Sequence, residues 1–173
     1  MRNIDVVKVH EDQKSILRQL IEFYEYDFSE FNERDVNDHG FYGYKYFDHY
    51  WTDEGRHPFF VMIDDKYAGF VLVNSHSYLN KDIESKSIAE FFIMRKYRRN
   101  GSGKKVANWI FDRFRGNWEV LQHGSNEPSK LFWKSVIEEY TTGKFELVDV
   151  ETENWKGQGY TFNNGNLSDK DRR

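Results

Sequence analysis

Residues 95–105 combine charge and chain flexibility in a way that suits an anion. They read Arg-Lys-Tyr-Arg-Arg-Asn-Gly-Ser-Gly-Lys-Lys, with six basic residues and no acidic one. Gly101 and Gly103 allow a tight turn that exposes successive backbone N–H groups, and the helix predicted to follow adds the positive end of its dipole. These features predict a phosphate or pyrophosphate site. A solvated basic turn before an ordinary helix explains the same residues, and this alternative stays open.

Other site motifs are missing from the sequence. The glycine spacing fits neither a nucleotide P-loop nor a Rossmann fingerprint, and there is no Gly-x-Ser-x-Gly elbow. The absence of cysteine excludes a disulfide framework, a thiol nucleophile and a Cys-ligated metal. The six histidines show no metal-ligand spacing, so we predict no metal. His49 or His76 as a base is an alternative to a surface or packing role.

Length and composition indicate one soluble domain. The chain has 173 residues, of which 38% are hydrophobic and 31% charged, and no apolar run is long enough to predict a membrane span. A net charge of −4 argues against nucleic acid as the main partner. Residues 1–13 lack the apolar stretch of a secretory signal, so we expect a cytoplasmic protein. We predict a domain over residues 1–163 and a polar tail over residues 164–173.

Hydrophobic spacing predicts the elements that position these residues. Strands are expected at residues 4–9, 57–63, 67–74, 87–95, 118–123, 145–150 and 159–162. Helices are expected at residues 11–31, within 32–56, from the glycine turn to residue 114, and at 127–139 with Leu131, Phe132, Val136 and Ile137 on one side. This order predicts an α/β or α+β fold, a mixed sheet of about seven strands covered on both faces by about four helices.

Two further stretches of sequence accompany the basic turn. Residues 98–103, Arg-Arg-Asn-Gly-Ser-Gly, fit the pattern Gln/Arg-x-x-Gly-x-Gly/Ala between a predicted strand and an amphipathic helix. Residues 90–97 before it read Glu-Phe-Phe-Ile-Met-Arg-Lys-Tyr, and residues 126–133 read Asn-Glu-Pro-Ser-Lys-Leu-Phe-Trp. In these motifs and in element order, the chain resembles the GNAT acetyltransferase family over about residues 2–162. The resemblance implies the GNAT fold.

The resemblance also implies that acetyl-CoA is the acyl donor and lies against the end of the strand at residues 92–94. Its pyrophosphate would be held by backbone N–H groups of residues 98–104, where Gly101 and Gly103 matter more than the Ser102 side chain. Asn126 would face the pantetheine, and Phe132 and Trp133 would lie near the thioester. The implied cofactor-binding residues are Phe92, Ile93, Met94, Arg98, Arg99, Asn100, Gly101, Ser102, Gly103, Lys104, Asn126, Ser129, Phe132 and Trp133.

For acetyl transfer, the amine has to lose a proton and attack the thioester carbonyl. The resemblance implies that Glu90 is the base, directly or through water, and that the backbone N–H of Ile93 or a neighbour polarises the carbonyl. A half-buried Glu90 paired with a basic neighbour is the alternative. The tyrosine that usually protonates the CoA thiolate falls on Trp133, which cannot act as a general acid. Tyr140 or water is the expected substitute, with packing as the alternative role for Tyr140.

Residues 22–54 hold ten acidic residues against two basic ones, Arg34 and Lys45. In the family that this chain resembles, this region forms one wall of the acceptor cleft. An acidic and aromatic wall would favour a cationic amine as the acceptor. A solvated helix face over an aromatic core is the alternative.

We therefore expect an acetyl-CoA-dependent N-acetyltransferase that moves the acetyl group directly to a primary amine of a small molecule or protein in a ternary complex. A catalytically silent acyl-CoA-binding or regulatory domain is the main alternative, because of Trp133. An RNA-binding module that uses the basic turn with Tyr97 and Trp109 is a weaker one. The C-terminal strands could pair between chains to give a homodimer.

Overall fold

The computed structural model of the protein describes residues 2–79, 81–152 and 155–167. Within these residues, seven strands form a sheet in the order β1-β2-β3-β4-β5-β7-β6. The strands are β1 (Ile4–Lys8), β2 (His57–Ile63), β3 (Lys66–Asn74), β4 (Ser85–Ile93), β5 (Asn117–His123), β6 (Glu146–Thr152) and β7 (Trp155–Asn163). The helices are α1 (Lys14–Asn32), α2 (His49–Thr52), α3 (Ser102–Arg113) and α4 (Glu127–Thr141), with 3-10 turns at Glu11–Gln13 and Arg95–Tyr97.

One compact unit consists of the described residues of Met1–Val73 and Glu90–Asn100. In it, β1 pairs antiparallel with β2, and β2 pairs antiparallel with β3. The β2–β3 hairpin turns at Asp64 and Asp65, whose positive φ angles of 50° and 60° give the twist that a two-residue hairpin loop requires. Helix α1 buries Leu17 and Leu20, as the spacing of its apolar residues predicts.

The second unit consists of the described residues of Asn74–Ala89 and Gly101–Arg173. Residues 85–87 of β4 pair in parallel with the start of β5, which makes the sheet mixed. Strand β7 pairs antiparallel with both β5 and β6. The core of this unit includes the fully buried Phe111, Trp118 and Tyr160, and the Phe111 ring meets the Trp118 ring edge-on at 4.9 Å.

The predicted mixed sheet of seven strands with four helices is confirmed. The third predicted strand was too long at its C-terminal end, because the chain leaves β4 after Ile93 and the Tyr97 N–H donates to the Met94 carbonyl in a 3-10 turn. On α4 the predicted apolar side was wrong at one position: Leu131 is 69% exposed, whereas Trp133 is buried. Apolar residue type does not decide which of two neighbouring positions faces the core.

Two residues of the predicted polar tail are buried. Asn164 has no exposed surface, and Leu167 is 8% exposed. The Asn164 side chain donates to the carbonyls of Phe111 and Phe114 and accepts from the Gly116 N–H. Residues 168–173 of that tail lie outside the described residues. The boundary at residue 163 stays a prediction.

Candidate functional site

Glu90 of β4 is a half-buried carboxylate with tyrosine hydroxyls as neighbours. The Tyr24 hydroxyl of α1 donates a hydrogen bond to Glu90 Oε2, and the Tyr44 hydroxyl is a second partner. Among the described residues Glu90 forms no salt bridge, so it is not paired with a basic neighbour. Burial raises the pKa of Glu90 to about 7, against the lowering effect of the Tyr24 hydrogen bond. A carboxylate that titrates near neutral pH is suited to accept a proton from a substrate.

The Tyr24 ring is fixed by other aromatic rings of the same unit. It stacks on Phe28 at 5.7 Å and meets the rings of Phe70 and Phe92 edge-on at 5.8 and 5.9 Å between centroids. Burial and the charge of Glu90 raise the pKa of Tyr24 well above its ordinary value. The Tyr24 hydroxyl therefore stays protonated and acts as a hydrogen-bond donor to Glu90.

The chain segment between α1 and α2 is held by two acidic residues of α1. The carboxylate oxygens of Glu22 accept from the N–H groups of Tyr42 and Gly43, each at 2.8 Å. Buried Glu25 accepts from Arg34 Nη1 at 2.9 Å, and Arg34 Nη2 donates to the Tyr42 carbonyl at 2.6 Å. Burial raises the pKa of Glu25, although the charge of Arg34 opposes the shift. These contacts fix the segment that carries Tyr44.

Five of the ten acidic residues of 22–54 are therefore engaged in contacts inside the structure. Besides Glu22 and Glu25, Asp48 pairs with Lys14 at 3.0 Å, and Asp53 pairs with Arg56 at 3.4 Å. Asp27 binds two arginines, as described next. The acids that remain exposed without a salt bridge in the described structure are Glu30, Glu33, Asp35, Asp38 and Glu54.

Asp27 of α1 binds the side chains of Arg95 and Arg98. Arg95 Nε donates to Asp27 Oδ1 at 3.0 Å, and Arg98 Nη2 donates to Oδ2. Burial would raise the pKa of Asp27, but the hydrogen bonds from Arg98 and Arg95 lower it below its ordinary value. Arg98 Nε also donates to the Ile93 carbonyl at 2.6 Å. Two of the six positive charges of the basic turn are thus paired with an acid of the same unit.

The backbone of the basic turn has the conformation that its glycine predicts. Arg99 has φ of 61° and Gly101 has φ of 81°, both in the left-handed region that glycine tolerates best. The first hydrogen bond within α3 runs from the Lys105 N–H to the Gly101 carbonyl at 3.2 Å. The N–H groups of Gly103 and Lys104 belong to the first turn of α3, at the positive end of the helix dipole. A Cβ on Gly101 would meet no atom within 4 Å, so the turn is open on that side.

The donor set of this turn fits a phosphate group. Backbone N–H groups at a helix N-terminus bind anions, and the exposed side chains of Arg99 and Lys105 add positive charge. Lys104 instead pairs with Glu139 of α4. Ser102 is buried, and the smaller contribution of its side chain relative to the neighbouring backbone stays a prediction.

At the end of β4 the structure buries Phe92 and Ile93. The Met94 N–H donates to the Ala68 carbonyl at 2.8 Å, so this amide is used within the sheet. The Ile93 carbonyl binds Arg98, as described above. The Ile93 amide remains the predicted donor to the thioester carbonyl.

Asn126 caps the N-terminus of α4, because its Oδ1 accepts from the Ser129 N–H at 3.0 Å. Trp133 is 4% exposed, its ring lies 6.2 Å from that of Phe111, and half-buried Phe132 meets Trp133 at 4.9 Å. The proposed contacts of Asn126, Ser129, Phe132 and Trp133 with the cofactor stay predictions.

Tyr140 is held in a polar network of the second unit. Its hydroxyl donates to Asp112 Oδ1 at 2.9 Å and accepts from Asn164 Nδ2 at 3.3 Å. Burial raises the pKa of Tyr140 to about 12. Its ring packs against Phe111 at 5.1 Å. These contacts favour the packing role over the role of proton source.

The sequence did not single out Tyr24 and Tyr44 as functional residues. Tyr24 belongs to the apolar stripe of α1, and Tyr44 lies in an aromatic-rich segment with several similar tyrosines. The signal that could have found them is the polar tip of a tyrosine within an apolar stripe, because a buried hydroxyl requires a partner. Among the described residues no cluster of histidine and acidic side chains could hold a metal ion, and no described helix is long and apolar enough to span a membrane.

The comparison with known families identifies the fold. The model of the Acetyltransferase (GNAT) family matches residues 17–136, more than half of the chain. The protein is a member of the GNAT family. No curated protein sequence matches it. Glu90 and the basic turn both lie within the matched residues, so the motifs that carried the resemblance belong to the part that the family model recognises.

Solved structures of acetyltransferases share this fold at low sequence identity. An acetyltransferase from Thermus thermophilus is 14% identical, with 93% of this chain and 97% of that chain covered and a TM-score of 0.64. The spermidine N-acetyltransferase from Vibrio cholerae, in complex with CoA and spermine, is 9% identical, with 92% and 95% covered and a TM-score of 0.60. The aminoglycoside acetyltransferase AAC(6')-Ib, in complex with coenzyme A, is 10% identical, with 94% and 95% covered and a TM-score of 0.64.

Proposed function

We propose that this GNAT protein transfers an acetyl group from acetyl-CoA to a primary amine, directly and in a ternary complex. The observation that carries the proposal is Glu90, a carboxylate on β4 with a pKa of about 7 and no salt bridge in the described structure. A structural carboxylate is usually ionised and paired, whereas a base has to lose and accept a proton at working pH. The family membership supports the acyl donor.

Glu90 accepts the proton of the attacking amine, directly or through water. At pH 7 about half of the molecules hold Glu90 in the ionised form that can act as a base. The amine then attacks the thioester carbonyl, the C–S bond breaks, and CoA leaves as a thiolate. The backbone N–H of Ile93 is the proposed donor to the carbonyl oxygen while negative charge develops there.

The pyrophosphate of acetyl-CoA binds the backbone of the basic turn. The N–H groups at the start of α3 and the positive φ at Gly101 support this assignment. Arg99 and Lys105 supply charge from exposed side chains, while Arg95 and Arg98 order the turn through Asp27. Acetyl-CoA supplies the activated acyl group.

Water protonates the CoA thiolate. Trp133 has no proton to give, and the Tyr140 hydroxyl is already engaged with Asp112 and Asn164. A thiolate is a tolerable leaving group, so a dedicated acid is not essential to turnover.

The acceptor is a cationic amine such as a polyamine or an amine-bearing antibiotic. The exposed acids of residues 22–54 support this class, together with exposed aromatic rings such as Tyr26 and Phe41 in the same region. Two solved structures with this fold are named for amine acceptors, spermidine and aminoglycosides. Glu22, Glu25 and Asp27 are bonded inside the structure. The attraction for a cationic amine therefore comes from the five exposed acids that form no salt bridge in the described structure.

Thermal unfolding with and without acetyl-CoA tests the cofactor site. Ligand at one hundred times its dissociation constant stabilises the native state by about 2.7 kcal/mol, which raises the melting temperature by roughly 5–10 °C for a chain of this size. We expect this shift in the wild type and its loss in Gly101→Glu, because the new carboxylate repels the pyrophosphate.

Gly143→Glu is the matched control. Gly143 also has φ of 81°, and a Cβ there also meets no atom within 4 Å, so both variants carry the same backbone strain. Only Gly101→Glu should lose the acetyl-CoA shift. An equal loss in both variants, or no shift in the wild type, would contradict the proposed cofactor site.

The second candidate function, a silent acyl-CoA-binding domain, is favoured by Trp133 and by the engaged Tyr140 hydroxyl. Both functions predict the thermal shift. Release of free thiol from acetyl-CoA in the presence of polyamines or aminoglycosides separates them, because only the enzyme produces it. For the enzyme, we expect Glu90→Gln to reduce the rate by roughly 100-fold or more.

A further inference from the structure

The proposed base accepts a hydrogen bond from a distant part of the chain. The Tyr24 hydroxyl of α1 donates to Glu90 Oε2, across 66 positions of sequence. This contact lies entirely within the first unit. It involves neither the basic turn nor the α4 residues that the family motifs identify.

The groups around Glu90 can be named element by element. Helix α1 contributes the Tyr24 hydroxyl and the charge of Glu25, which is itself paired with Arg34. The segment before α2 contributes the Tyr44 hydroxyl, which in turn interacts with Tyr50 of α2. Among the groups that act on Glu90, Tyr24 and Tyr44 favour its ionised form, while burial and Glu25 oppose it.

We propose that Tyr24 is a positioning residue, whose hydroxyl fixes the Glu90 carboxylate in one orientation and stabilises its ionised form, so that the base is available near neutral pH. This inference rests on the proposed function of Glu90. The two tyrosine hydroxyls leave other lone pairs of the carboxylate for the amine or a water molecule. Without a donor, a buried carboxylate would keep its proton to higher pH.

Removing the hydroxyl should leave the packing intact. The Tyr24 ring is held by Phe28, Phe70 and Phe92, and a phenylalanine ring fills the same space. Tyr24→Phe therefore isolates the hydrogen bond to Glu90. Tyr44→Phe is a second variant that removes the other hydroxyl donor, in case Tyr24→Phe fails to fold.

Tyr42→Phe is the matched control. The Tyr42 hydroxyl contacts Ser29 Oγ of α1 at 3.4 Å. Like Tyr24→Phe, this variant therefore removes a half-buried hydroxyl that interacts within the first unit. It leaves the main-chain contacts of Tyr42 with Glu22 and Arg34 in place. Tyr42→Phe should therefore change neither the ionisation of Glu90 nor the pH profile.

The first measurement does not need activity. Carbon-13 NMR of labelled glutamate carboxyls, with Glu90→Gln to assign the signal, follows the titration of Glu90 in the free protein. We expect the midpoint in Tyr24→Phe to lie about one pH unit above that of the wild type, because a hydrogen bond to a charged group is worth about that much. An unchanged midpoint in Tyr24→Phe would overturn the inference, as would an unchanged midpoint in Tyr44→Phe if Tyr24→Phe does not fold.

The second measurement is kcat/KM against pH, with acetyl-CoA and the best amine from the thiol-release screen. We expect kcat/KM of Tyr24→Phe to be roughly eightfold lower at pH 6.5 and close to the wild-type value at pH 9, because the acid limb moves by about one unit. A loss of the same size at every pH would indicate a merely structural role and overturn the inference. If the NMR midpoint moves but the wild type releases no thiol, Tyr24 tunes Glu90 as inferred, and the proposed acetyl transfer is what fails.

Discussion

Gly69 of β3 lies directly against the main chain of Phe92 on β4. A Cβ on Gly69 would be 1.9 Å from the Phe92 carbonyl oxygen, far inside any allowed contact. The main chains of the two strands therefore approach closely at Phe92, which lies between Glu90, the proposed base, and Ile93, the proposed oxyanion donor. The absence of a side chain at residue 69 allows this approach.

Gly69→Ala should destabilise the protein, because the backbone rather than a flexible side chain would have to move. We expect a loss of about 2 kcal/mol or more in the free energy of unfolding, measured by urea denaturation. Gly159→Ala on β7 is the control, since a Cβ there meets first the Leu121 Cδ2 atom at 2.4 Å, which can rotate away. Equal midpoints for the two variants would contradict this prediction.

Glu90→Gln should stabilise the protein at alkaline pH. The pKa of Glu90 is about 7 in the folded protein against an ordinary value of 4.5, so between these values the folded state keeps a proton that the unfolded state has lost. The contribution of Glu90 to stability therefore falls as pH rises from 4.5 to 7 and stays low above it. Glutamine cannot ionise and does not incur this loss.

The measurement is the melting temperature of wild type and Glu90→Gln at pH 5 and pH 8. We expect the melting temperature of Glu90→Gln, relative to that of the wild type, to be several degrees higher at pH 8 than at pH 5. A constant difference would mean that Glu90 titrates at its ordinary value in the folded protein, and it would remove the main support for the base.

Tyr140→Phe should change stability more than catalysis. The hydroxyl bonds Asp112 and Asn164, so its loss should cost about 1 kcal/mol in unfolding free energy. If water protonates the thiolate, turnover should fall by less than roughly tenfold, whereas loss of a general acid would cost about 100-fold or more. Tyr160→Phe, which removes another buried hydroxyl of the same unit, controls for packing effects.

Asn164→Ala should destabilise the second unit strongly. The Asn164 side chain is fully buried, and its loss leaves the Phe111 carbonyl and the Gly116 N–H without this partner. We expect a loss of about 2–3 kcal/mol in unfolding free energy by urea denaturation. Asn166→Ala, at an exposed position two residues later, should have almost no effect. Similar values for the two variants would support a polar tail that begins at residue 164.

Much of the fold could be predicted because its signals are local. Alternation and helical spacing depend on neighbouring residues, and they located each strand and helix to within a few positions. The Asp64-Asp65 turn and the Asn126 cap are also local, since each depends on the conformation or side chain of one or two residues. The predicted end of β4 was wrong because the chain enters a 3-10 turn after Ile93, in which the Tyr97 N–H donates to the Met94 carbonyl, and the apolar spacing does not show where a strand gives way to such a turn.

The candidate site was only partly predictable, because part of it depends on contacts between residues that are far apart in the sequence. Sequence spacing by itself determined the Gly101 turn at the start of a helix and the position of Glu90 on the preceding strand, which a short motif can encode. The tertiary structure decided that Tyr24 meets Glu90 and that Asp27 binds both Arg95 and Arg98. These contacts join residues 66 to 71 positions apart. They exist because α1 packs its side chains against β4 and the turn after it, and no local pattern specifies which side chains then meet.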